Sequence, residues 1–240
     1  MFCYGSYING VIIMNISSAE VKTIASELGA DLCGIAPIER FGEAPEGFHP
    51  CDLMPECKSV IVLAKKFLHS TLNANSTIPY TVVRNSLSAA LDFLAVELSA
   101  KLELKGLTAL PVGTVGPCVW DEKTNKNRGL ISLKHAAVQA GLGKIGKNTL
   151  LVNDKYGNML WLTGVLVSKE LERDPIARYN GCIPNCRLCL DSCPVKALDG
   201  VSMNQNDCWN NSFVDMGGSQ LLVKCYNCKK VCPNSLGIEI

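Results

Sequence analysis

Charge is scarce in this chain. Asp, Glu, Lys and Arg make up 19% of the 240 residues, and 23 basic against 22 acidic side chains leave a formal charge of +1. No basic tract is present that would track a phosphate backbone, so charge gives no indication of nucleic acid. Long apolar runs are missing too. VIIM at 11–14 and MLWLTGVLV at 159–167 are far too short to span a bilayer, and no membrane association is expected. No secretory leader pattern opens the chain, and a chain of this length with 48% apolar residues needs no disulfide staples. What it has in quantity is glycine, 20 residues, and cysteine, 13. Low charge with many glycines suits a buried α/β core with tight turns, and the length accommodates one large domain and one small one.

Eight of the cysteines fall between 182 and 232. Cys182-x3-Cys186-x2-Cys189-x3-Cys193-Pro194 is followed by Cys208 and by Cys225-x2-Cys228-x3-Cys232-Pro233. Zinc sites usually use two Cys-x2-Cys pairs, without a third cysteine close by and a terminal Cys-Pro. Two runs that each close on Cys-Pro match the ligand supply of two [4Fe–4S] clusters, with the last cysteine of each run crossing to the other cluster. The expected sets are Cys182, Cys186, Cys189 and Cys232 for the first, and Cys193, Cys208, Cys225 and Cys228 for the second. Two such clusters in the 2+ state would bring the net charge to about −3. Oxygen-labile clusters and many thiols point to a reducing cytoplasm.

The preceding residues read as alternating helices and strands. Residues 1–16 are an N-terminal extension or an edge strand, with Cys3 a bystander. Ser17 and Glu20 form a capping box for a helix that ends at Gly29. ADLCGIAPI is a buried strand in which Cys33 acts as a small core hydrophobe. Residues 40–55 are a long loop read as a pocket rim; His49, Cys51 and Cys57 there lack a convincing fourth metal ligand. KSVIVLAKKF at 58–67 is a strand covered on both faces. A helix over 82–104 carries Leu87, Leu91, Leu94, Leu98 and Leu102 on its buried stripe. A strand over LTALPVG, a loop over 116–129 and a short helix from Ser132 to Ala140 follow. LLVNDKYGNMLWLTGVLV then reads as a hairpin turning at Tyr156-Gly157-Asn158. Gly141-x4-Gly146-Lys147-Asn148 nearly spells a phosphate-binding loop, but Asn148 replaces the metal-binding hydroxyl and a helix precedes it. Two readings of these glycines stay open: close approach to a flat or bulky ligand, or tight packing under a cluster. Domains are expected over 17–175 and 176–240, with short helices after the Cys-Pro pairs and the insert around Gly217 and Gly218 folding over a cluster.

AGLGKIGKNTLL followed by a strand and two Cys-Pro motifs resembles the epoxyqueuosine reductase family, relatives of the corrinoid-dependent reductive dehalogenases. ADLCGIAPI, the P-x-x-KSVIVLA segment and the terminal VCPN carry the same resemblance, which covers the chain from about residue 17. It implies a nitroreductase-like α/β (α+β) domain, a bacterial-ferredoxin-like domain with two [4Fe–4S] clusters, and cobalamin bound in base-off form. It also places Gly141, Leu142, Gly143, Gly146, Lys147 and Asn148 beside the corrin. No motif in the chain itself demands the corrinoid.

Two departures matter. The family carries an acidic residue upstream of AGLG as proton donor, whereas this chain has NRGLISLKHAA, with Asn127 or Arg128 near the acid's place and Ser132-Leu133-Lys134 replacing an acidic–basic pair. An amide has no proton to give, which leaves Asp121, Glu122 and Tyr156 as candidates without a ranking. The chain also stops eight residues after Cys232, without the helical repeats of many relatives, so tRNA is a doubtful substrate. The expected function is an iron–sulfur reductase fed by ferredoxin or flavodoxin, acting on a corrinoid or a small-molecule substrate. The alternative is a non-catalytic electron-transfer protein that docks on a partner redox enzyme. A cavity beside one cluster, lined by 141–148, would distinguish the two. Oligomeric state is not legible.

Overall fold

The computed structural model describes residues 6–8, 11–13, 16–116, 118–122, 126–218 and 220–238. The first half contains β1 (Ser6–Ile8), β2 (Val11–Ile13), α1 (Ser18–Glu27), β3 (Leu32–Pro37), α2 (Pro50–Leu53), β4 (Ser59–Lys66) and α3 (Ile78–Glu103). Then come β5 (Ala109–Val112), β6 (Val119–Asp121), β7 (Lys126–Arg128), α4 (Leu133–Gln139), β8 (Lys144–Ile145), β9 (Leu151–Val152) and β10 (Leu160–Val167). The cysteine-rich part holds α5 (Leu188–Asp191), α6 (Gln205–Ser212), β11 (Phe213–Asp215), β12 (Leu221–Val223) and α7 (Asn227–Lys230).

A four-stranded antiparallel sheet of order β3-β4-β10-β5 forms the centre of a mixed α/β fold. β4 shows why it sits in the middle. Successive side chains of a strand point to opposite faces, and both faces of β4 are apolar. Val60, Val62 and Ala64 pack with Leu162 and Leu166 of β10 and with Ala136, Ala137 and Ala140 at α4. Ile61 and Leu63 meet Val21 and Ala25 of α1 and Leu94, Leu98 and Leu102 of α3 on the other side. Full burial of each such large side chain stabilises the fold by roughly 1.5–3 kcal/mol. α1 starts as the sequence requires: Glu20 N–H donates to Ser17 Oγ at 3.2 Å, and Ser17 N–H donates to Glu20 Oε2 at 2.8 Å.

Several local expectations are corrected. α3 begins at Ile78 rather than at 82, because Pro79 is tolerated in a first turn where its missing N–H has no partner to lose. Leu87 is only half-buried, while the other four leucines of the stripe are buried. Within 40–55, α2 forms on an N-cap in which His49 Nδ1 accepts from Cys51 N–H at 3.2 Å and Asp52 reaches back to His49 N–H. The predicted loop at 116–129 contains the antiparallel strand pair β6 and β7. β1 and β2 pair with each other and not with the main sheet; Cys3 lies outside the described residues. Ser132 precedes α4, but its hydroxyl bonds His135 Nδ1 at 2.6 Å and makes no backbone cap. β9 and β10 are not a hairpin: β9 pairs with β8, and β10 with β4 and β5. The Asn153–Gly157 bridge closes a tight loop that redirects the chain between them. The short helices α5 and α7 precede the Cys-Pro pairs instead of following them. At 194–198 the positive φ of Lys196, 51°, prevents a helix.

Candidate functional site

The eight cysteines separate into two groups of four, each ringing its own small cavity. Cys182, Cys186, Cys189 and Cys232 line one, and Cys193, Cys208, Cys225 and Cys228 line the other. α5 carries Cys189 and α7 carries Cys228, so each short helix turns a cysteine inward toward its quartet. Mutual repulsion of the sulfurs shows the same partition. Burial raises Cys232, and Cys182, Cys189 and Cys186 raise it further. Burial likewise raises Cys208, with Cys193 and Cys225 adding to the effect and Ser212 opposing it. Cys228 is pushed up to about 12 by burial, then by Cys208, Cys225, Cys189 and Cys193; the field of Cys189 ties the two quartets together. Thiols crowded in this way ionise readily only when cations share the site. Among the described residues no three His, Cys, Asp or Glu side chains converge as closely as a single ion requires. A ring of four sulfurs around a void has the donor number and type that a [4Fe–4S] cluster requires. Backbone donors complete it: Lys147 N–H reaches Cys182 Sγ and Ala197 N–H reaches Cys193 Sγ, both at 3.3 Å.

The 141–148 segment joins the cysteine loops to the sheet. Gly141 has φ +75°, and a Cβ there would lie 2.1 Å from the Pro175 carbonyl oxygen; at Gly143 it would meet Val152 O at 2.5 Å. At Gly146 it would sit 3.5 Å from Cys182 Sγ and closer still to Asn148 and Val152. These glycines face protein, which favours packing under the cysteines over approach to a ligand. Leu142 is buried in the core below α4. Lys147 Nζ donates to Cys186 O at 2.9 Å and Asn148 Nδ2 to Cys228 O at 3.1 Å, so adjacent residues hold a loop of each cysteine run.

The candidate ligand cavity is lined by none of residues 141–148, so it is not the cavity expected from the sequence to distinguish a reductase from a carrier. A space of about 440 Å³ opens between the ends of β5 and β10, the turn before α4, and the elements carrying the second quartet. Its walls are largely apolar, including Val112, Leu133, Leu160 and Trp161. Trp209 and Lys229, the immediate neighbours of Cys208 and Cys228, also line it, so the second quartet sits against this space. Three cations line it as well: Arg84, Lys134 and Lys229. Lys229 is 3% exposed, and its ammonium lies 4.7, 5.7 and 5.5 Å from the ring centres of Phe67, Tyr80 and Trp161. Burial lowers its pKa to about 8, with the Cys228 sulfur acting in the opposite direction. Lys134 is lowered by burial, opposed by Cys208 and Cys228, and donates to Thr149 O at 2.6 Å. None of these cations stands out in the sequence. Lys229 and Lys230 are adjacent and alike, yet only the first is buried.

The sequence candidates for proton donation do not line this cavity. Asp121 pairs with Arg128 Nε at 2.7 Å, and Arg128 also stacks over Phe48. Glu122 is exposed in the turn after β6. Tyr156 packs against the core face that contains α4, with Lys155 Nζ 5.0 Å above its ring. The Asn127 side chain lies outside the described residues.

No family model matches the chain. An epoxyqueuosine reductase of Leadbetterella byssophila is 24% identical over 251 aligned positions, 90% of this chain and 79% of that protein. The corresponding enzyme of Lactococcus garvieae is 34% identical over 113 residues, 43% of this chain and 32% of its own length. The epoxyqueuosine reductase structure from Streptococcus thermophilus superposes with a TM-score of 0.64 at 20% identity, covering 95% of this chain and 68% of that one. The chain is similar to epoxyqueuosine reductases. It shares its fold equally with a reductive dehalogenase studied for B12-dependent dehalogenation, at TM-score 0.66 and 16% identity over 95% of this chain and 33% of that one. It therefore spans about a third of some relatives and about two thirds or more of others. Among the described residues no helix is long and apolar enough to cross a membrane.

Proposed function

We propose that this protein is an iron–sulfur reductase with two units, 17–175 and 176–240. Electrons enter from a ferredoxin or flavodoxin, pass through two [4Fe–4S] clusters and reach an acceptor in the 440 Å³ cavity. The observation that carries this reading is the position of Trp209 and Lys229, each next in sequence to a second-quartet cysteine and each lining the cavity. A plain carrier needs sulfur cages but no apolar cleft beside the inner one. Cys182, Cys186, Cys189 and Cys232 hold the outer cluster, and Cys193, Cys208, Cys225 and Cys228 the inner one. The clusters supply one-electron steps at potentials set by charge, exposure and hydrogen bonds to sulfur. The chain's own residues set those terms through the N–H groups of Lys147 and Ala197 and the ammonium of Lys134.

A corrinoid is the acceptor that the kinship with B12-dependent dehalogenation suggests, and it would supply a strongly reducing metal centre beside the substrate. The fit is one of chemistry. The cavity is largely apolar, and two of its lining residues, Asn158 and Lys229, each hold a buried side-chain atom with no hydrogen-bond partner. Trp161 and Trp209 are among its lining residues. An epoxyqueuosine reductase has been solved with a tRNA stem loop carrying the modified base, so such a stem loop is the substrate to compare with free small molecules. The test is anaerobic titration of the purified protein with cob(II)alamin, read by EPR and visible spectra before and after reduction. A shifted cobalt spectrum that reports on the reduced clusters is expected. An unchanged spectrum and no retained corrinoid would sink the corrinoid assignment.

A further inference from the structure

We propose that two copies of this chain associate through the outer face of α3, antiparallel across a two-fold axis. This inference stands apart from the redox reading and needs neither cluster nor acceptor. α3 is apolar on both sides. Leu91, Leu94, Leu98 and Leu102 are buried on the side that meets the sheet and α1. On the far side Ile78, Val82, Phe93, Val96 and Leu104 are all exposed, Phe93 by 73% and Leu104 by 87%. At 3.6 residues per turn these five fall within about 80° of arc, with Ala89 and Ala100 between them. They make one stripe along a helix of 26 residues, about 39 Å long. A helix that is apolar all round is normally covered on every side, and a contiguous exposed stripe marks an interaction surface.

The stripe is complementary to itself. A two-fold interface sets residue i of one copy against residue j of the other, and j against i. Counted outward from residue 91, near the middle of the helix, the positions match end to end. Phe93 falls opposite Ala89, Val82 opposite Ala100, and Ile78 opposite Leu104. Ser86 meets Val96, again small against large, which is how facing layers interdigitate. The polar positions follow the same symmetry, because exposed Asn85 lies opposite exposed Glu97. A partner of unrelated sequence would impose no such symmetry on the stripe. Two helices of this length, 8–10 Å apart, bury roughly 400 Å² on each copy, about half of a standard interface. The dimer is therefore a reversible one that forms at micromolar concentration.

Sedimentation equilibrium of the full chain, purified anaerobically and studied at about 1–200 µM, tests this. The mass is expected to rise with concentration from 25.9 kDa toward twice that value. Phe93→Asp should weaken dimerisation by about tenfold or more, as loss of a central aromatic anchor does. Because Phe93 is exposed, that variant should keep the circular dichroism spectrum and iron content of the original chain. Charge tests the register. Asn85 and Glu97 stand about 18 Å apart along one helix, so they meet only across the interface. Asn85→Asp keeps an acceptor for Arg84 and should weaken the dimer severalfold at low salt, through repulsion from Glu97 of the second copy. Combining Asn85→Asp with Glu97→Lys should restore or tighten it. A chain that stays monomeric over the whole range would overturn the proposal, as would a dimer indifferent to Phe93→Asp. Failure of the double variant to recover what Asn85→Asp loses would remove the antiparallel register and the proposal with it. A monomer that binds a different protein in a Phe93-dependent way would assign the stripe to that partner and equally overturn it.

Discussion

Replacing Gly141 by alanine isolates what the glycine segment does. At φ +75° an alanine pays roughly 1–2 kcal/mol for the left-handed backbone. Its Cβ would also lie 2.1 Å from Pro175 O, a distance no real contact shows. Pro175 cannot withdraw freely. Asp174 beside it is held by its own N–H to Ile35 O at 3.0 Å, by Ile35 N–H on its carboxylate at 2.9 Å, and by Arg40 on its carbonyl at 2.8 Å. Relieving the clash adds roughly 1–3 kcal/mol, as overpacking usually does. The sum, roughly 2–5 kcal/mol, corresponds to a fall in Tm of about 4–20 °C for a chain of this size. Gly47 and Gly217 provide the control, because their φ values are +78° and +80° but a Cβ at either meets nothing within 4 Å. Gly47→Ala and Gly217→Ala should show only the backbone term, partly offset by the stiffer unfolded chain. Anaerobic thermal melts followed by circular dichroism, at matched iron content, measure the difference. Were Gly141→Ala to melt together with the two controls, the close approach to Pro175, and with it the packing role of the segment, would be wrong.

Other outcomes follow from the same geometry. Cys208→Ser should lower iron from about eight to about four atoms per chain while the first quartet keeps its EPR signal; retention of both clusters would remove Cys208 from the ligands. Lys147→Met removes a cation that bonds Cys186 O at 2.9 Å, and should shift the first cluster's potential negative by on the order of tens of millivolts, since the reduced cluster loses a favourable charge. Spectroelectrochemistry reads the sign, and a positive shift would contradict it. Burial pushes the Cys33 thiol up to about 12 and Cys57 up to about 11. At pH 8 their reactive thiolate fractions are therefore only about 10⁻⁴ and 10⁻³, rising with pH. In native protein treated with iodoacetamide, mass spectrometry should find the exposed Cys118 labelled well before either; early labelling of Cys33 would show that its strand is open.

Strong local patterns were legible and tertiary choices were not. The Ser17–Glu20 capping box is a short-range exchange of hydrogen bonds, and the apolar run of β4 needs only two covered faces, so both could be read without knowing the partners. The expected ligand sets rest on the crossing of the last cysteine in paired Cys-Pro runs, and two cavities are lined by the same two sets of cysteines. The pairing of β9 with β8 was not legible, because a two-residue strand carries no register of its own. The absence of a helix after the first Cys-Pro pair goes with the positive φ of Lys196, which the sequence does not announce. The glycines at 141–146 advertised close approach but not its partner, which is Pro175, Val152 and the Cys182 loop. Lys229 stayed hidden because only the aromatic residues Phe67, Tyr80 and Trp161, distant in sequence, distinguish it from Lys230.

The most direct measurement is the iron and acid-labile sulfide content of the full chain purified without oxygen, with Mössbauer spectra of an iron-57-enriched sample. Two quartets of sulfur around separate voids should hold about eight irons and eight sulfides, all in [4Fe–4S] environments. A content near four irons, or a single mononuclear iron site, would contradict the two-cluster arrangement and the route to the cavity built on it.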